Sequence, residues 1–339
     1  MKILVCGDLH MKDSLSYADH LPDRREGERK EILDFIVDQA KDCSDIIFLG
    51  DNFNSRNNSS ETNREFVKFL ERFGTKSVYI ISGNHEKKGN GNTAIDFLGE
   101  IKNKPHWHIF TRPGSFPIEK LKIDFLPYML NSELGVEDHE AATKKVMKEL
   151  DGGDILFAHH AISGTMFNGI TTNSLNEIVL PKEKLEKKYK LIVAGHIHTS
   201  QRYGNVLITG NVFTSEIGQR EKFVYKIKDD LTIETLKVPA REIYKIENPT
   251  DLQLSAIPKN TILKVIITDK KIDIEEMKKK LEKFDANLLI EDYPNSRKKA
   301  HIKEGGAFDF SIEALLELYS KEKDVDYQRL LKGLQIVNG

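Results

Sequence analysis

Aspartate, asparagine and histidine side chains recur in five short motifs, and each motif follows a run of apolar, β-prone residues. In chain order the motifs are Gly7-Asp8-Leu9-His10, Gly50-Asp51-Asn52, Gly83-Asn84-His85-Glu86, Ala158-His159-His160 and Gly195-His196-Ile197-His198. A histidine taken singly is more often a surface residue or a hydrogen-bonded core residue than a metal ligand. Five motifs in this order, each at the end of a predicted strand, indicate a site for two metal ions. Two ions about 3.5–4 Å apart can activate a water molecule and hold a phosphate for in-line displacement.

The spacing within the motifs indicates which side chains share this site. Asp8 and His10 are two residues apart at a strand end, as are His196 and His198, so the members of each pair point the same way. Asp51 is the best candidate to bridge two ions. Oxygen and imidazole ligands together suit manganese, iron, zinc or cobalt better than calcium. The expected ligands are Asp8, His10, Asp51, Asn84, His159, His196 and His198.

Two further histidines adjoin these ligands and are expected to have other roles. His85 follows Asn84 directly, so its side chain is expected to face the substrate. An imidazole with a pKa near neutrality suits protonation of a leaving alkoxide, although a structural role is the alternative. His160 follows His159, and alternation along a strand points it to the opposite face. We expect His160 to be structural or to support a ligand.

The elements that must position these residues begin with a repeating strand–helix pattern. Apolar strands are predicted at 2–6, 45–49 and 77–81, and amphipathic helices at 26–41 and 62–73. This order predicts a parallel sheet with helices on both faces. In such sheets the ligand crevice lies beyond the carboxyl ends of the strands, where the first three motifs fall.

Later strands predict a second sheet. They are expected at 122–126, 154–158, 190–194, 206–209 and 223–227. The last two are short and linked by turns, which suggests a second, more antiparallel sheet. The fold class is therefore α/β, a two-sheet sandwich with helices on both outer faces.

The C-terminal third is expected to form separate, smaller parts. Pro239 and Pro249 bracket a boundary, after which a strand at 261–268, a helix at 274–284 and a strand at 286–291 form a small β-α-β unit. The segment 295–310 follows Pro294 and contains Gly305, Gly306 and a basic cluster, a composition that is typical of a linker. Residues 311–339 contain two short amphipathic segments, which predict a helical tail.

Composition sets broad limits on the class of protein. The chain has 339 residues and a formal net charge of −2, so its overall charge does not indicate nucleic-acid binding, although a local basic face is compatible with it. The two cysteines, Cys6 and Cys43, are expected to be reduced core thiols. No apolar run approaches the ~20 residues that cross a bilayer, and the N-terminal strand is not expected to be a signal peptide.

The five motifs resemble the pattern of the calcineurin-like metallophosphoesterase superfamily, which reads D-x-H, G-D, G-N-H-[DE], H and G-H-x-H. The resemblance covers roughly residues 1–225. Within the superfamily the chain looks most like the SbcD-type, or meiotic-recombination-type, DNA repair nucleases, and especially like the recombination nuclease subunits of T-even phages. The motif order, the small β-α-β unit and the acidic-apolar segment 312–319 support this narrower match.

The resemblance implies roles for the predicted ligands and a domain order. One metal would be held by Asp8, His10, Asp51 and His198, and the second by Asp51, Asn84, His159 and His196. His85 would assist departure of the DNA 3′ oxygen. The implied domains are a metallophosphoesterase (nuclease) domain at 1–240, a small α+β capping domain at 241–294, a linker at 295–310 and a short helical tail at 311–339 that binds an ATPase partner.

The resemblance also implies cofactors, partners and a location. It predicts two divalent metal ions, with manganese preferred, and a homodimer bound to an SbcC-like coiled-coil ATPase of the ABC type. The substrate would be double-stranded DNA ends, cut by exonuclease or endonuclease action during double-strand-break repair and recombination. A bacterial or phage-infected host cytoplasm is expected, with no membrane association.

Two departures from the family pattern affect the narrower match. The family often continues G-D with Leu-Phe-His, whereas Asp51 is followed here by a polar segment, 52–60, that could contact phosphates or simply be solvated. Glu86 replaces the commoner aspartate. Neither departure changes an expected ligand.

Basic and apolar clusters outside the motifs are weaker candidates for DNA and partner contacts. Lysines between 182 and 190 alternate with acids and are expected to form a solvated helix face. The apolar stripe of helix 62–73 is expected to pack in the core, with a dimer interface as the alternative. Leucines of the tail could pack on a partner coiled coil or on this chain's own body. The candidate DNA contacts are Arg297, Lys298, Lys299 and Lys303, and the candidate partner contacts are Leu315, Leu316, Tyr319, Leu330, Leu331 and Leu334.

Two other functions use the same sequence features. One is a different metallophosphoesterase, acting on a small phosphodiester or a phosphoprotein, but this leaves the C-terminal third unexplained. The other is a non-catalytic scaffold that binds DNA ends. The complete ligand set argues against the scaffold, because burying so many charged groups without a metal is costly.

Overall fold

The computed structural model describes residues 2–11, 22–89, 91–167, 169–214, 221–258, 261–282, 284 and 286–291. All of them lie in one compact unit, Met1–Asp292. The predicted linker, the tail and the candidate DNA and partner contacts at 297–334 fall outside the described residues and stay predictions.

Six α-helices and three short 3₁₀ segments are present in this part of the chain. The helices are α1 Pro22–Gln39, α2 Ser60–Glu71, α3 His139–Glu149, α4 Lys182–Glu186, α5 Asp251–Ala256 and α6 Ile274–Leu281. The 3₁₀ segments are Ala40–Asp42, Asp96–Glu100 and Thr172–Ser174. In the described residues the first helix already includes Pro22, four residues before its predicted start, and it ends at Gln39.

The strands are numbered here in chain order. They are β1 Lys2–Cys6, β2 Asp45–Phe48, β3 Ser77–Ile81, β4 Lys87–Gly89, β5 Asn92–Thr93, β6 Trp107–Phe110, β7 Gly114–Ile118, β8 Leu121–Leu126, β9 Gly153–Ala158, β10 Ala161–Ile162, β11 Met166–Phe167, β12 Ile170–Thr171, β13 Val179–Leu180, β14 Tyr189–Ala194, β15 Gln201–Tyr203, β16 Val206–Ile208, β17 Phe223–Lys228, β18 Ile233–Lys237, β19 Ile243–Glu247, β20 Ile262–Ile267 and β21 Ala286–Glu291.

The first large sheet has six strands in the order β18-β17-β1-β2-β3-β6. Strands β1, β2, β3 and β6 are parallel, as the strand–helix alternation predicts. The free edge of β1 is covered by β17, which runs antiparallel to it, and β18 pairs with β17 in turn.

The second large sheet has the order β15-β16-β14-β9-β8-β7. Its four central strands are parallel, and only the edge strands β7 and β15 are antiparallel. The expectation that 206–209 and 223–227 belong together in an antiparallel second sheet is therefore wrong. β16 lies parallel to β14 in the second sheet, whereas β17 returns to the first sheet, because β1 has an edge there that needs a hydrogen-bonding partner.

Alternate residues of β1 show how the layers stack. Ile3 and Val5 pack between the two sheets with side chains such as Phe125 and Phe157 of the second sheet. Leu4 and Cys6 pack on the opposite face, in a cluster that contains buried residues of α1 and α2. A third cluster packs α3 and α4 on the outer face of the second sheet. The two-sheet α/β sandwich with helices on its outer faces is thus confirmed.

The apolar stripe predicted for the helix at 62–73 packs inside this chain, although α2 itself ends at Glu71. Phe66, Phe69, Leu70 and Phe73 are all buried, and Phe48 of β2 contacts the three phenylalanine rings. The helix starts where the Ser59 side chain accepts a hydrogen bond from the Thr62 backbone N–H, which caps its first turn. Core packing, the expected role of this stripe, accounts for its four apolar side chains.

After β18 the chain forms a small three-stranded unit. Its strands are parallel in the order β19-β20-β21, with α5 and α6 as the connecting helices. The predicted β-α-β unit is therefore preceded by a further strand and helix. Thr250 and Gln253 form a reciprocal cap at the start of α5. The domain boundary at 240 stays a prediction.

Neither cysteine is in a disulfide, and both are buried. Burial raises the pKa of the Cys43 thiol to about 11 and also raises that of Cys6. Among the described helices, none has the length and apolar character needed to cross a membrane.

Candidate metal centre

All five motifs begin within two residues of the carboxyl ends of central strands, which brings their side chains to one edge of the sandwich. Three follow β1, β2 and β3 of the first sheet, and two follow β9 and β14 of the second. Backbone hydrogen bonds hold the motif loops together: the His10 N–H donates to the Asp51 carbonyl at 2.8 Å, and the Gly195 N–H donates to the Ala158 carbonyl at 3.0 Å. Residues as far apart in sequence as Asp8 and His198 thus meet in one cluster.

The first group of donor atoms comes from Asp8, His10, His198 and Asp51. The Nε2 atoms of His10 and His198 face each other at 2.9 Å. His10 Nε2 is 4.0 Å from Oδ2 of both Asp8 and Asp51, and His198 Nε2 is 3.9 Å from Asp8 Oδ2. This is the group that the resemblance assigns to the first ion.

The second group comes from Asp51, Asn84, His159 and His196. Asn84 Oδ1 lies 3.1 Å from His159 Nε2 and 2.9 Å from His196 Nδ1. Asp51 Oδ2 is 3.3 Å from His159 Nε2, so one carboxylate oxygen of Asp51 adjoins both groups. Its position suits the bridging role expected of it.

The chemistry of the donor set fits two divalent cations. Two carboxylates, an amide oxygen and four imidazoles present their lone-pair atoms to one another at 2.9–4.0 Å, and most of these side chains are buried. Such a concentration of acceptors is unfavourable unless a cation neutralises it. The mixture of oxygen and nitrogen donors is the one that manganese, iron, zinc and cobalt accept. The structure brings all seven predicted ligands together, and their binding of metal stays a prediction.

Three of these residues have an unusual backbone conformation. His10, Asp51 and His196 have φ angles of 45°, 44° and 80°. Each non-glycine residue in this left-handed region costs on the order of 1–3 kcal/mol, and such strain concentrates at functional sites. The left-handed conformation changes the direction of these three side chains at the ends of the strands.

The motif glycines let the loops approach each other closely. A Cβ atom on Gly195 would lie 2.6 Å from Asp8 Oδ1, and one on Gly83 would overlap both the backbone and the carboxylate of Asp51. A side chain at either position would displace a carboxylate of the site. The glycines are therefore required by packing against the ligands.

Opposite charges shift the pKa values of the central groups. Burial alone would raise the pKa of Asp51, but His159 and His10 outweigh it and hold that pKa well below its usual range. Burial would lower the pKa of His159, yet Asp51 and Asp8 raise it to about 9. His10 shows the reverse balance, because burial lowers its pKa to about 3 despite Asp51.

Backbone hydrogen bonds fix which nitrogen of two imidazoles faces the centre. His159 Nδ1 donates to the Leu49 carbonyl at 2.5 Å, which leaves Nε2 as the ligating atom. His85 Nδ1 donates to the Asn54 carbonyl at 2.8 Å, so its Nε2 is the atom that can exchange a proton. That atom lies 3.9 Å from Asp51 Oδ2, and the His85 side chain is 38% exposed. This position beside the centre, open to solvent, suits the proton donor that the sequence predicts.

The polar loop after the second motif borders His85. Asn54 holds the imidazole through its carbonyl, and Ser55, Arg56 and Asn57 are exposed. The loop is solvated, and the Asn54 carbonyl joins it to His85.

Glu86 joins the second and third motif loops. Its carboxylate is fully buried and accepts hydrogen bonds from the backbone N–H groups of Gly83, at 2.7 Å, and Phe53, at 3.1 Å. Burial and the nearby negative charge of Asp51 raise its pKa to about 7. Glutamate is long enough to span both loops, which explains how it can stand where the family pattern commonly has aspartate.

His160 points away from the centre, as alternation predicts. Its Nε2 accepts a hydrogen bond from the Met129 N–H at 3.2 Å, and its ring stacks on Tyr128 with 5.0 Å between centroids. The same tyrosine also contacts the rings of His159 and His196. Tyr128 therefore packs against three histidines, a role that the sequence motifs do not reveal.

Glu177 is a second residue that sequence reasoning missed. It belongs to no motif, yet its carboxylate contacts His196 Nε2 at 2.9–3.0 Å. A weak signal existed, because Glu177 is the only acidic residue between Asp154 and Glu183.

The lysines at 182–190 have structural partners, in agreement with a solvated face. Lys182 pairs with Glu186 at 3.6 Å and Lys190 with Asp154 at 2.8 Å. Lys188 Nζ donates to the Met147 and Leu150 carbonyls at the end of α3.

Comparison with known proteins identifies the family. Residues 1–225 match the family model described as calcineurin-like phosphoesterase. Comparison with curated proteins gives no match.

Solved structures with similarity to this chain include several Vps29 proteins. A single mutant of Vps29 from Entamoeba histolytica is 14% identical over 70% of this chain and 99% of that chain, with a TM-score of 0.30. Vps29 from Chaetomium thermophilum is 13% identical over 70% of this chain and 97% of that chain, with a TM-score of 0.29. Vacuolar Protein Sorting 29 from Cryptosporidium parvum is 16% identical over 70% of this chain and 95% of that chain, with a TM-score of 0.28. Because the family model spans well over half of the sequence and includes all seven candidate ligands, the chain belongs to the calcineurin-like phosphoesterase family.

Proposed function

We propose that this protein is a manganese-dependent DNA nuclease that hydrolyses phosphodiester bonds at a two-metal centre. In this proposal it is the catalytic subunit of an SbcCD-like repair and recombination complex, it acts on double-stranded ends, and it forms a homodimer with an SbcC-like ATPase as partner. The observation that carries the proposal is the convergence of two donor groups on Asp51, with the exposed His85 beside them.

The residues of the centre have separable tasks in such a reaction. Two bound ions would act as Lewis acids on the phosphate and lower the pKa of a water molecule. Asp8, His10 and His198 would hold one ion, Asn84, His159 and His196 the other, and Asp51 both. The Asn54 carbonyl orients His85 so that Nε2 can give a proton to the departing 3′ oxygen.

The C-terminal part supports DNA as the substrate over a small phosphodiester. The small β19-β20-β21 unit follows the phosphoesterase domain, where the SbcD-type nucleases have a capping domain. The sequence continues with the basic cluster at 297–303 and the acidic-apolar tail. Lysine and arginine neutralise phosphates without reading base sequence, which fits an end-directed nuclease.

The test is cleavage of end-labelled linear duplex DNA by the full chain with manganese, magnesium or EDTA. Asp51→Asn serves as the matched inactive control, because it preserves side-chain shape and removes the bridging charge. Degradation with manganese, absent with EDTA and in the variant, supports the proposal.

The rival phosphoesterase gives a different result in the same experiment. Intact DNA together with hydrolysis of bis(p-nitrophenyl) phosphate would contradict a DNA nuclease and favour a small phosphodiester substrate. Absence of bound ions at saturating manganese would contradict both enzymes and favour the DNA-binding scaffold.

A further inference from the structure

Glu177 lies in the loop between the 3₁₀ segment Thr172–Ser174 and β13, on the outer side of the second donor group. Its side chain is largely buried, with 17% exposed. Both carboxylate oxygens contact His196 Nε2, at 3.0 and 2.9 Å. His196 is thus a candidate ligand that Glu177 contacts directly.

The two nitrogens of His196 therefore have different partners. Nδ1 faces Asn84 Oδ1 at 2.9 Å, inside the second donor group, and Nε2 faces Glu177. A carboxylate only accepts hydrogen bonds, so Nε2 must carry a proton and Nδ1 is left with the lone pair. Glu177 thereby selects the tautomer in which the metal-facing nitrogen is the donor to a cation.

The strained backbone of His196 makes this restraint useful. The backbone of His196 has a φ angle of 80°, a conformation that residues with a side chain rarely adopt. Its imidazole could still rotate about the last side-chain bond, and a buried acceptor on Nε2 opposes that rotation. His159 has the equivalent restraint from the Leu49 carbonyl, so both imidazoles of the second group have an outer partner.

Tyr128 completes the arrangement around the carboxylate. Burial, together with the negative charges of Glu177 and Asp51, raises the pKa of the Tyr128 hydroxyl to about 12, and the tyrosine ring lies against His196 with 5.6 Å between centroids. Tyr128 therefore packs against the imidazole that Glu177 contacts.

We propose that Glu177 is a positioning residue for the second metal ion and acts by orienting His196. The inference rests on the two-ion centre of the proposed function and is independent of whether the substrate is DNA. Outer partners of metal-binding histidines typically contribute 10–100-fold to metal affinity. The effect is expected at the second ion, because the first group does not include His196.

The experiment measures Mn²⁺ binding by isothermal titration to the metal-depleted full chain, without DNA. Glu177→Ala is compared with Glu177→Gln, whose amide oxygen still accepts from Nε2. Glu183→Ala is the control, because Glu183 lies on α4, away from the donor groups. We expect wild type and Glu183→Ala to bind two ions, and Glu177→Ala to bind the second about 10–100-fold more weakly. Glu177→Gln should recover most of the loss, which a merely structural role for the loop would not predict.

The outcomes separate this inference from the proposed function. Two ions bound by Glu177→Ala with wild-type affinity would overturn the role of Glu177 and leave the nuclease proposal standing. A wild-type chain that binds no Mn²⁺ would overturn both. If Glu177→Ala does not fold, Glu177→Met replaces it, because methionine fills similar space without a carboxylate; a weaker second ion is expected, and unchanged affinity would contradict the inference.

Discussion

At the scale of single residues, the neighbours Asn84 and His85 have different hydrogen-bond partners. Asn84 Oδ1 lies in the second donor group, whereas the His85 imidazole is held by the Asn54 carbonyl and places its Nε2 3.9 Å from Asp51 Oδ2, with 38% of the side chain exposed. We therefore expect the two adjacent residues to serve metal binding and proton transfer separately. A change at His85 should affect the reaction without affecting the ions.

The first prediction concerns His85→Gln. We expect the variant to bind two Mn²⁺ ions and DNA as wild type does, and to lose cleavage by about 10²–10⁴-fold, the usual contribution of a positioned acid or base. Cleavage rates and ion stoichiometry are measured side by side. His139→Gln, at the start of α3, is the control variant. Near-normal cleavage by His85→Gln would show that another group supplies the proton.

At the scale of elements, the strand ends and motif glycines create the centre. The loops after β2 and β3 lie so close that Gly83 packs directly against Asp51, and the Glu86 carboxylate binds both loops. The geometry of the donors depends on this contact between loops as much as on the ligands themselves.

The second prediction is that Gly83→Ala loses metal binding. The added methyl group would overlap Asp51, so the carboxylate or the loop must shift. We expect at least one ion to be lost in titrations with Mn²⁺. Gly99→Ala is the matched control, because a Cβ there would meet no atom within 4 Å. Wild-type binding of two ions by Gly83→Ala would show that the loops can separate without consequence.

The third prediction concerns the pH dependence of stability at β6. His108 stacks on Tyr79, with centroids 4.7 Å apart, and contacts Phe116. Burial lowers its pKa, with a further lowering from His106, against Asp45, which raises it. The unfolded chain, with a histidine pKa of about 6.5, then binds a proton more readily than the folded chain does. Stability from this residue is complete above that pH and decreases as pH falls below it.

The variant His108→Phe isolates this effect. Phenylalanine keeps the ring contacts and has no titrating group, so the free energy of unfolding should depend less steeply on pH between about 6.5 and 5. Urea unfolding at several pH values gives the slopes. His139→Phe provides the comparison, and identical slopes for His108→Phe and wild type would contradict the prediction.

At the scale of the whole molecule, the centre joins the two sheets. The first donor group combines residues after β1 and β2 with one after β14, and the second combines residues after β2 and β3 with others after β9 and β14. A cation bound to either group therefore cross-links the two layers of the sandwich. Metal binding and folding should consequently be coupled.

The fourth prediction is that Mn²⁺ stabilises the fold. At a free concentration 100-fold above Kd, one site adds about 2.7 kcal/mol to the free energy of unfolding. Thermal unfolding in Mn²⁺ should show a higher Tm than in EDTA, and Ca²⁺ should have a smaller effect because imidazole ligands suit it poorly. Asp51→Asn should abolish most of the shift. A Tm that does not change with Mn²⁺ would contradict the prediction.

The sequence alone determined the fold class and the candidate ligands, because both depend on local signals. The apolar run of β1 and the helical spacing in α2 extend over only a few residues, and every candidate ligand lies within four residues of the end of a strand. These signals predicted a two-sheet sandwich with one crevice, and the burial of Phe66 and Phe69 agrees with them. His160 was likewise placed correctly by alternation, since its ring turns away from the centre.

Only the tertiary structure decided which distant segments pair and what surrounds the ligands. The strand at 223–228 pairs with β1, which lies at the start of the sequence and would otherwise have an unpaired edge. The short turns between the later strands do not indicate this distant partner. Glu177 and Tyr128 reach His196 from other loops, and no local pattern distinguishes them from ordinary surface or core residues. The pairing of distant strands depends on how whole layers pack, so short motifs cannot predict it. The strands, the helices and the spacing of the ligands depend on neighbouring residues, so the sequence predicts them.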